Sequence, residues 1–282
     1  MTDEQTAASK ASWESHAPGW ERNAGLIARI NGPVGEWLIE QLEPRRGETF
    51  LELAAGPGDT GFEIARRVEP GGKVISTDIA PSMVEGARRR AADLGVTNVE
   101  FREMDAQRID LADDSIDGVV HRFGPMLVPD PAASAREVRR TLRDGGRYAA
   151  ASWGTYDRNP LFPLIGRTMS ALGHFPPPPP DEDGTGPGGM SSMSDPANVR
   201  ALLADAGFTD VAIEEVEPDY SFRSFDEFWL LPSEIATSGS VISALDDAGR
   251  QRVTDAMRDA IEPYREGEGY RFPAVAVCFS AR

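Results

Sequence analysis

The 282-residue sequence carries one cysteine, Cys278, and only two lysines, Lys10 and Lys73. A single thiol excludes an intramolecular disulfide, a cysteine-based zinc centre and multi-thiol chemistry, and no metal site is expected. Cys278 falls inside the apolar run Ala274 to Phe279, where it reads as a small packed hydrophobe. No apolar run approaches the roughly 20 residues that cross a bilayer, so no membrane partner is expected. The start, Met1-Thr2-Asp3-Glu4-Gln5, is polar and acidic, unlike a secretory signal, and a cytoplasmic location is the expectation. Positive charge is scarce too. The formal net charge is -17, whereas nucleic-acid binders show a basic footprint. Arg88-Arg89-Arg90 is the local candidate for such a patch, but Glu85 and Asp93 dilute it, and it reads as a solvated helix face. Nucleic acids are therefore disfavoured as substrates.

What is present suits one large α/β domain or two small ones. The 40% apolar and 27% charged content is that of a globular chain. Strand and helix signals alternate from about residue 48 to 152. Thr49 to Ala54 reads as a strand, followed by the turn Gly56-Pro57-Gly58-Asp59-Thr60-Gly61 and a short helix marked by Phe62, Ala65 and Val68. Val74 to Thr77 is a second strand ending in Asp78. Pro81 opens a helix with Met83, Ala87, Ala91 and Leu94 on one face, closed by Gly95. Val99 to Met104, Ile116 to Val120 and Arg147 to Ser152 read as further strands. A helix with Ala135, Val138 and Leu142 opens at Pro131 and stops at Gly145-Gly146. Repeated strand-helix-strand units imply a parallel sheet with helices on both faces.

The pattern then changes. Residues 173 to 195 hold Pro176 to Pro180 in a row, then Asp181-Glu182-Asp183 and several glycines; this is an extended loop, either a plain insertion or a lid. Asp195-Pro196 opens a helix with Val199, Leu202, Leu203 and Ala206 on its apolar face. Val211 to Val216 alternates like a strand, and residues 224 to 262 look helical. Ala274 to Phe279 is a continuous apolar strand. Phe225 to Leu231 is an apolar cluster that reads as a lid or as the contact of a homodimer.

An apolar strand, a glycine turn, a helix and a second strand ending in an acid make a nucleotide-cofactor half-site. The glycines permit positive φ and close backbone approach, and the Asp78 carboxylate can accept both hydroxyls of a ribose. Two cofactors fit. Gly56 to Gly61 matches GxGxxG, a weak dinucleotide signal. Read one register earlier, Glu52-x-Ala54-x-Gly56-x-Gly58 resembles the first motif of class I S-adenosylmethionine (SAM) methyltransferases, with Ala54 where many members carry glycine. The similarity extends to Asp78-Ile79-Ala80-Pro81-Ser82-Met83-Val84, Met104-Asp105-Ala106, Leu142-Arg143-Asp144-Gly145-Gly146-Arg147 and Ala204-Asp205-Ala206-Gly207-Phe208-Thr209-Asp210-Val211. It covers roughly residues 45 to 152 and 195 to 282. It is closest to small-molecule methyltransferases related to the ubiquinone/menaquinone biosynthesis enzymes.

The resemblance implies a doubly wound, seven-stranded Rossmann-like α/β sheet, its last strand antiparallel between the fifth and sixth, with helical lid insertions. It divides a single domain, 1–282, into an N-terminal helical lid (1–44), a SAM-binding core (45–152), an insertion with the Pro/Gly-rich loop (153–194) and a C-terminal half (195–282) with a helical insertion at about 221–269. It implies that backbone from Ala54 to Gly58, including Ala55, Gly56 and Pro57, approaches the methionine half of SAM, with Glu52 beneath. Asp78 would hold the ribose, Ile79 lie on the adenine, Met83 cover the cofactor, and Asp105 and the Ala106 amide meet the purine. His121 would lie near the sulfonium or the acceptor, as a base or as pocket lining. Each has a plainer reading: Asp78 as a helix cap, Asp105 as a turn acid, Met83 as core. His16 suits either a lid or packing, and His174 says little.

Trp13, His16, Trp20, Phe123, Met126, Trp153, Phe228 and Trp229 are the candidate substrate lining, or ordinary core. As a set they suggest a small, partly aromatic or apolar methyl acceptor. Asn/Asp-Pro-Pro-Tyr/Phe is absent after the fourth strand, which argues against methylation of base amino groups. The expected function is SAM-dependent methyl transfer to oxygen or carbon of a small metabolite, in secondary metabolism. Two rivals remain. A nicotinamide-dependent dehydrogenase of the short-chain type needs Tyr-x-x-x-Lys, and no tyrosine stands four residues before Lys10 or Lys73. A methyltransferase fold can also hold SAM as a prop for cyclisation or as a non-catalytic binding partner.

Overall fold

Seven strands form the frame in a computed structural model that describes residues 2–179, 182–186 and 188–282. Pro180 of the proline run, Asp181 beside it and Pro187 lie outside the described residues. The strands are β1 (Thr49–Glu52), β2 (Lys73–Asp78), β3 (Val99–Glu103), β4 (Ile116–Arg122), β5 (Leu142–Trp153), β6 (Ala212–Val216) and β10 (Ala276–Ala281). Their order is β3-β2-β1-β4-β5-β10-β6. The first five are parallel, and β10 runs antiparallel between β5 and β6, as the resemblance implies. Phe50 and Leu51 of β1 are fully buried, as a parallel strand covered on both faces requires.

Three helices precede the sheet: α1 (Thr2–Arg22), α2 (Ala24–Ile30) and α3 (Gly32–Leu42). The crossovers are α4 (Asp59–Val68), α5 (Pro81–Asp93) and α6 (Pro131–Thr141). Pro81 and Pro131 both sit at helix starts, where a missing N–H costs nothing. Asp130 caps α6 by accepting from the Ala133 N–H at 2.9 Å. Met83, Ala87 and Ala91 of α5 face the core, but Leu94 does not: it is 48% exposed. The helix ends at Asp93, Gly95 turns the chain at φ +66°, and Val96 closes the end by donating to Ala91 O at 2.9 Å. Val96 fills the place expected of Leu94.

Two other expectations shift. The first strand stops at Glu52, because Ala54 is left-handed at φ +48° and begins the turn. Leu142 already pairs with Ile116, and Arg143 to Gly146 bulge out before Arg147 pairs with Gly118.

The remaining elements are α7 (Leu161–Ala171), α8 (Pro196–Asp205), α9 (Phe225–Leu230), α10 (Ser238–Ala244) and α11 (Asp247–Ile261). The stretch at 221–269 is not purely helical. β7 (Ser221–Phe222), β8 (Arg265–Glu266) and β9 (Gly269–Arg271) form a small antiparallel sheet that closes its base. Phe225, Phe228 and Leu231 are buried within the chain, so this part of the cluster is core, while Trp229 and Leu230 are half-buried. Cys278 is fully buried in β10, and burial pushes its thiol up to about 12, the behaviour of a packed hydrophobe. Among the described residues, no helix is long and apolar enough to cross a membrane.

Candidate cofactor and substrate cleft

A cleft of about 960 Å³, counting its open mouth, lies at the C-terminal ends of β1, β2 and β4 and beneath α1. Open parallel sheets place ligands there. Its floor is the β1 turn. Glu52 is buried; its Oε1 accepts from the Gly61 N–H at 2.8 Å and its Oε2 from the Ser76 hydroxyl at 2.9 Å. A Cβ on Gly61 would sit 2.1 Å from Oε2, so only glycine lets α4 come this close. Burial pushes the Glu52 carboxyl up to about 7, against the pull of those two donors.

Ala54 and Gly56 are both left-handed, at φ +48° and +52°, and turn the backbone around the cleft. Asp78 locks this turn to the next crossover. Its Oδ2 accepts from the Gly56 N–H and its Oδ1 from the Ala80 N–H, each at 3.0 Å. Burial pushes its carboxyl up, while the amides of Ala80, Gly56 and Ile79 pull it down. Asp78 is thus not the helix cap, which is Ala80 and has no side-chain cap bond; it holds the turn before α5 and faces the cleft.

Glu52, Ala54, Ala55, Gly56, Asp78, Ile79, Met83, Asp105, Ala106 and His121 all line the cleft. Pro57 and Gly58 do not. Gly58 opens α4 at φ +82°, with the Phe62 ring where a Cβ would go, and the Pro57 carbonyl accepts from Arg90 at 2.9 Å. Asp105 is already engaged: its Oδ1 accepts from the Gln107 N–H at 2.9 Å and from the Gln107 side chain at 3.1 Å. Met83 is both core and wall, being buried and cleft-lining at once.

Of the expected substrate lining, Trp13, Trp20 and Phe123 reach the cleft. Trp13 and Trp20 meet edge to face, and Trp20 anchors α1 through an N–H bond to Ile235 O at 3.0 Å. Phe123 has φ +56°, a costly conformation for an aromatic residue, and stacks on Trp153 at 3.9 Å. Met126, Trp153 and Phe228 are core, Trp229 stacks on Phe225, and His16 packs on Trp13. None of these five lines the cleft.

His121 ends up fully buried, with neither ring nitrogen hydrogen-bonded. Burial lowers its pKa to about 3. Burial thus keeps the imidazole neutral and weakly basic, which favours pocket lining over a base, the two readings expected of it. A Cβ on Gly124 would lie 2.2 Å from its Nε2, so the β4 loop needs glycine to pass over the ring.

Sequence reasoning missed Asn31 and Gln107, and placed Arg122 and Gly124 in a loop facing the crevice without giving either a role; all four line the cleft. Gln107 stands two residues past Asp105, a spacing that an Asx turn makes readable. Asn31, preceding Gly32-Pro33, carries only the signal of a helix cap. The three arginines at 88 to 90 are each tied to acid: Arg88 to Glu85, Arg89 to Glu21 and Arg90 to Asp59. They leave no free basic patch.

A sequence model described as "Methyltransferase domain" matches residues 44–173. The aklanonic acid methyltransferase DauC of Streptomyces sp. (strain C5) is 33% identical over 150 residues, 51% of this chain and 67% of DauC. The chain belongs to the SAM-dependent methyltransferases. Within this family, the ubiquinone/menaquinone biosynthesis C-methyltransferase UbiE of Hahella chejuensis is 37% identical over 112 residues, 39% of this chain and 45% of that enzyme. The chain spans about half the length of most curated relatives it matches. A solved SAM-dependent methyltransferase from Aquifex aeolicus shares the fold, with a TM-score of 0.50 at 22% identity over 67% of this chain and 87% of that one. The cleft suits the family's cofactor. It offers a carboxylate at the end of β2, a left-handed turn without bulky side chains, and a second carboxylate at Asp105.

Proposed function

We propose that this methyltransferase moves the methyl group of SAM to oxygen or carbon of a small, partly aromatic or apolar metabolite. The observation that carries the reading is Asp78, hydrogen-bonded to the Gly56 turn and open to the cleft. In this reading Asp78 accepts the ribose hydroxyls and the backbone of Ala54 to Gly56 follows the methionine half. Ile79 and Met83 cover the nucleoside, and Asp105, steadied by Gln107, meets the adenine beside the Ala106 amide. Bound SAM supplies an electrophilic methyl on a sulfonium.

The chain's own part is alignment and exclusion of water. Trp13, Trp20 and Phe123 keep the reaction space apolar, which favours a displacement that consumes charge. Holding donor and acceptor in line is worth an effective molarity of about 10⁵ to 10⁸ M in well-oriented systems. Neutral, weakly basic His121 supports an acceptor that is already anionic or electron-rich over one needing a strong base. The acceptors in the relatives' names, aklanonic acid for DauC and the ubiquinone/menaquinone route for UbiE, support a small organic acceptor.

Calorimetry with SAM and S-adenosylhomocysteine tests the reading. Folded protein that binds neither refutes it. Release of S-adenosylhomocysteine in step with acceptor consumption separates methyl transfer from use of SAM as a prop.

A further inference from the structure

Gln107 is a side chain on which three elements around the cleft meet. It stands in the loop after β3, is half-buried and lines the cleft. Its Oε1 accepts from the Asp130 N–H at 3.0 Å, at the cap of α6. A backbone N–H can only donate, so this bond fixes which end of the amide is oxygen and turns the NH₂ the other way. There Nε2 donates to Oδ1 and Oδ2 of Asp105, at 3.1 and 3.2 Å, and to the Thr6 hydroxyl of α1 at 3.2 Å. The oxygen end rests on a firm wall. The same loop is tied to α6 by the Ile109 N–H, which donates to Glu137 at 2.9 Å, and by Arg140, which donates to the Ile109 and Leu111 carbonyls at 2.8 Å each.

The NH₂ end meets the helix that roofs the cleft. Thr6, Ser9 and Trp13 follow at helical spacing and share one face of α1. Ser9 and Trp13 line the cleft. The second half of α1 is anchored independently of Gln107: Glu14 accepts from the Ser82 N–H at 3.2 Å, Glu21 pairs with Arg89 at 2.7 Å, and Trp20 donates to Ile235 O at 3.0 Å. The first half reaches the body of the protein through Lys10, paired with Glu103 at the exposed rim, and farther in through Thr6 on Gln107.

We infer that Gln107 is a positioning residue that joins purine recognition to the seating of α1 over the cleft. One NH₂ serves both: it holds the Asp105 carboxylate and it holds Thr6. An ionised carboxylate has about four acceptor sites, so Asp105 keeps room for an amino group of the base. A base whose amino group engages Asp105 fixes the carboxylate that orients the Gln107 amide, and with it the partner of Thr6. A base that lacks this donor leaves the seat of α1 unreinforced, because a ligand shifts a lid only by its differential contacts with the two states. The inference rests on the methyltransferase reading of the cleft.

The test compares the full chain with Gln107→Glu, Gln107→Ala and Thr6→Val, each checked for folding by circular dichroism. The ligands are S-adenosylhomocysteine and S-inosylhomocysteine, which carries a 6-oxo group in place of the 6-amino donor. Calorimetry reads affinity, and amide hydrogen exchange reads the protection of α1 at saturating ligand. The parent should bind the adenine ligand roughly ten- to a hundredfold more tightly, the scale of a hydrogen bond to a charged group, and the adenine ligand should slow exchange in α1 more than the inosine ligand does. Thr6→Val should keep the adenine preference and lose the extra protection. Gln107→Glu keeps an oxygen for the Asp130 N–H but cannot donate to Asp105 or Thr6. It should lose both the preference and the protection, as should Gln107→Ala. Equal protection of α1 by the two ligands, or a Gln107→Glu variant that behaves like the parent, overturns the relay and leaves methyl transfer standing. A parent that binds neither ligand refutes the methyltransferase reading, and the relay with it. If the Gln107 variants do not fold, Thr6→Val and the two-ligand comparison on the parent decide.

Discussion

Glu52→Gln should make the protein more stable as pH rises. Glu52 sits under the cofactor turn with a carboxyl near 7 in the folded chain, against 4.5 for an ordinary glutamate. An acid whose folded pKa is raised contributes stability that is present below the unfolded value and is lost as pH climbs through the folded one. Acid conditions near the chain's pI of 4.6 invite precipitation, so the useful window lies above it. Between pH 5.5 and 8.5, linkage at 1.36 kcal/mol per pKa unit predicts a loss of about 2 kcal/mol from this residue alone. Glutamine keeps an oxygen for the Gly61 N–H, and its NH₂ can donate to a reoriented Ser76 hydroxyl, so the packing survives. Urea unfolding of both proteins across that window measures the difference and cancels every other titrating group. The variant should gain about 2 kcal/mol on the parent at the alkaline end, equivalent to roughly 3 °C in a thermal melt of a chain this long. A difference that does not change with pH would refute the reasoning, because it would mean that burial leaves the carboxyl at its ordinary value.

His121 supplies the opposite sign. Its folded pKa near 3 lies below the ordinary 6.5, so its stabilising contribution should fade as pH drops from about 6.5 towards 3. His121→Leu should flatten the part of that limb between about pH 6.5 and 5.5, which the same unfolding experiment reaches. Asp78→Asn should weaken S-adenosylhomocysteine binding at least roughly tenfold by calorimetry, the worth of one charge-assisted contact, with little change in far-ultraviolet circular dichroism. Gly58→Ala combines φ +82° with a Cβ 2.5 Å from the Phe62 ring, and should cost about 2–4 kcal/mol in chemical unfolding.

The sheet was readable because its central strands are buried on both faces and its elements are punctuated by Gly, Pro and Asp. The last-strand insertion came only with the family resemblance, since no local pattern in Ala276 to Ala281 reports its direction. The β1–β2 side of the cleft was legible because Asp78 and the Gly56 turn are local features at a fixed spacing. The far wall was not. Trp153 and Met126 look like pocket aromatics and sulfur in sequence but face inward from β5 and the β4 loop, while Phe123, one twist of backbone away, faces out. Asn31 and Arg122 come from elements about 90 residues apart, so no local spacing links them. The small β7-β9-β8 sheet was missed because two- and three-residue strands carry no usable period.

Trp153 pairs with Ala276, and nothing nearer in sequence covers that flank of β5. During synthesis the ribosome must therefore deliver more than a hundred further residues before this apolar border is sealed. Until then a half-built nascent chain presents a bare ladder of amides and carbonyls, open to chaperones or to the same border on a neighbouring polysome product.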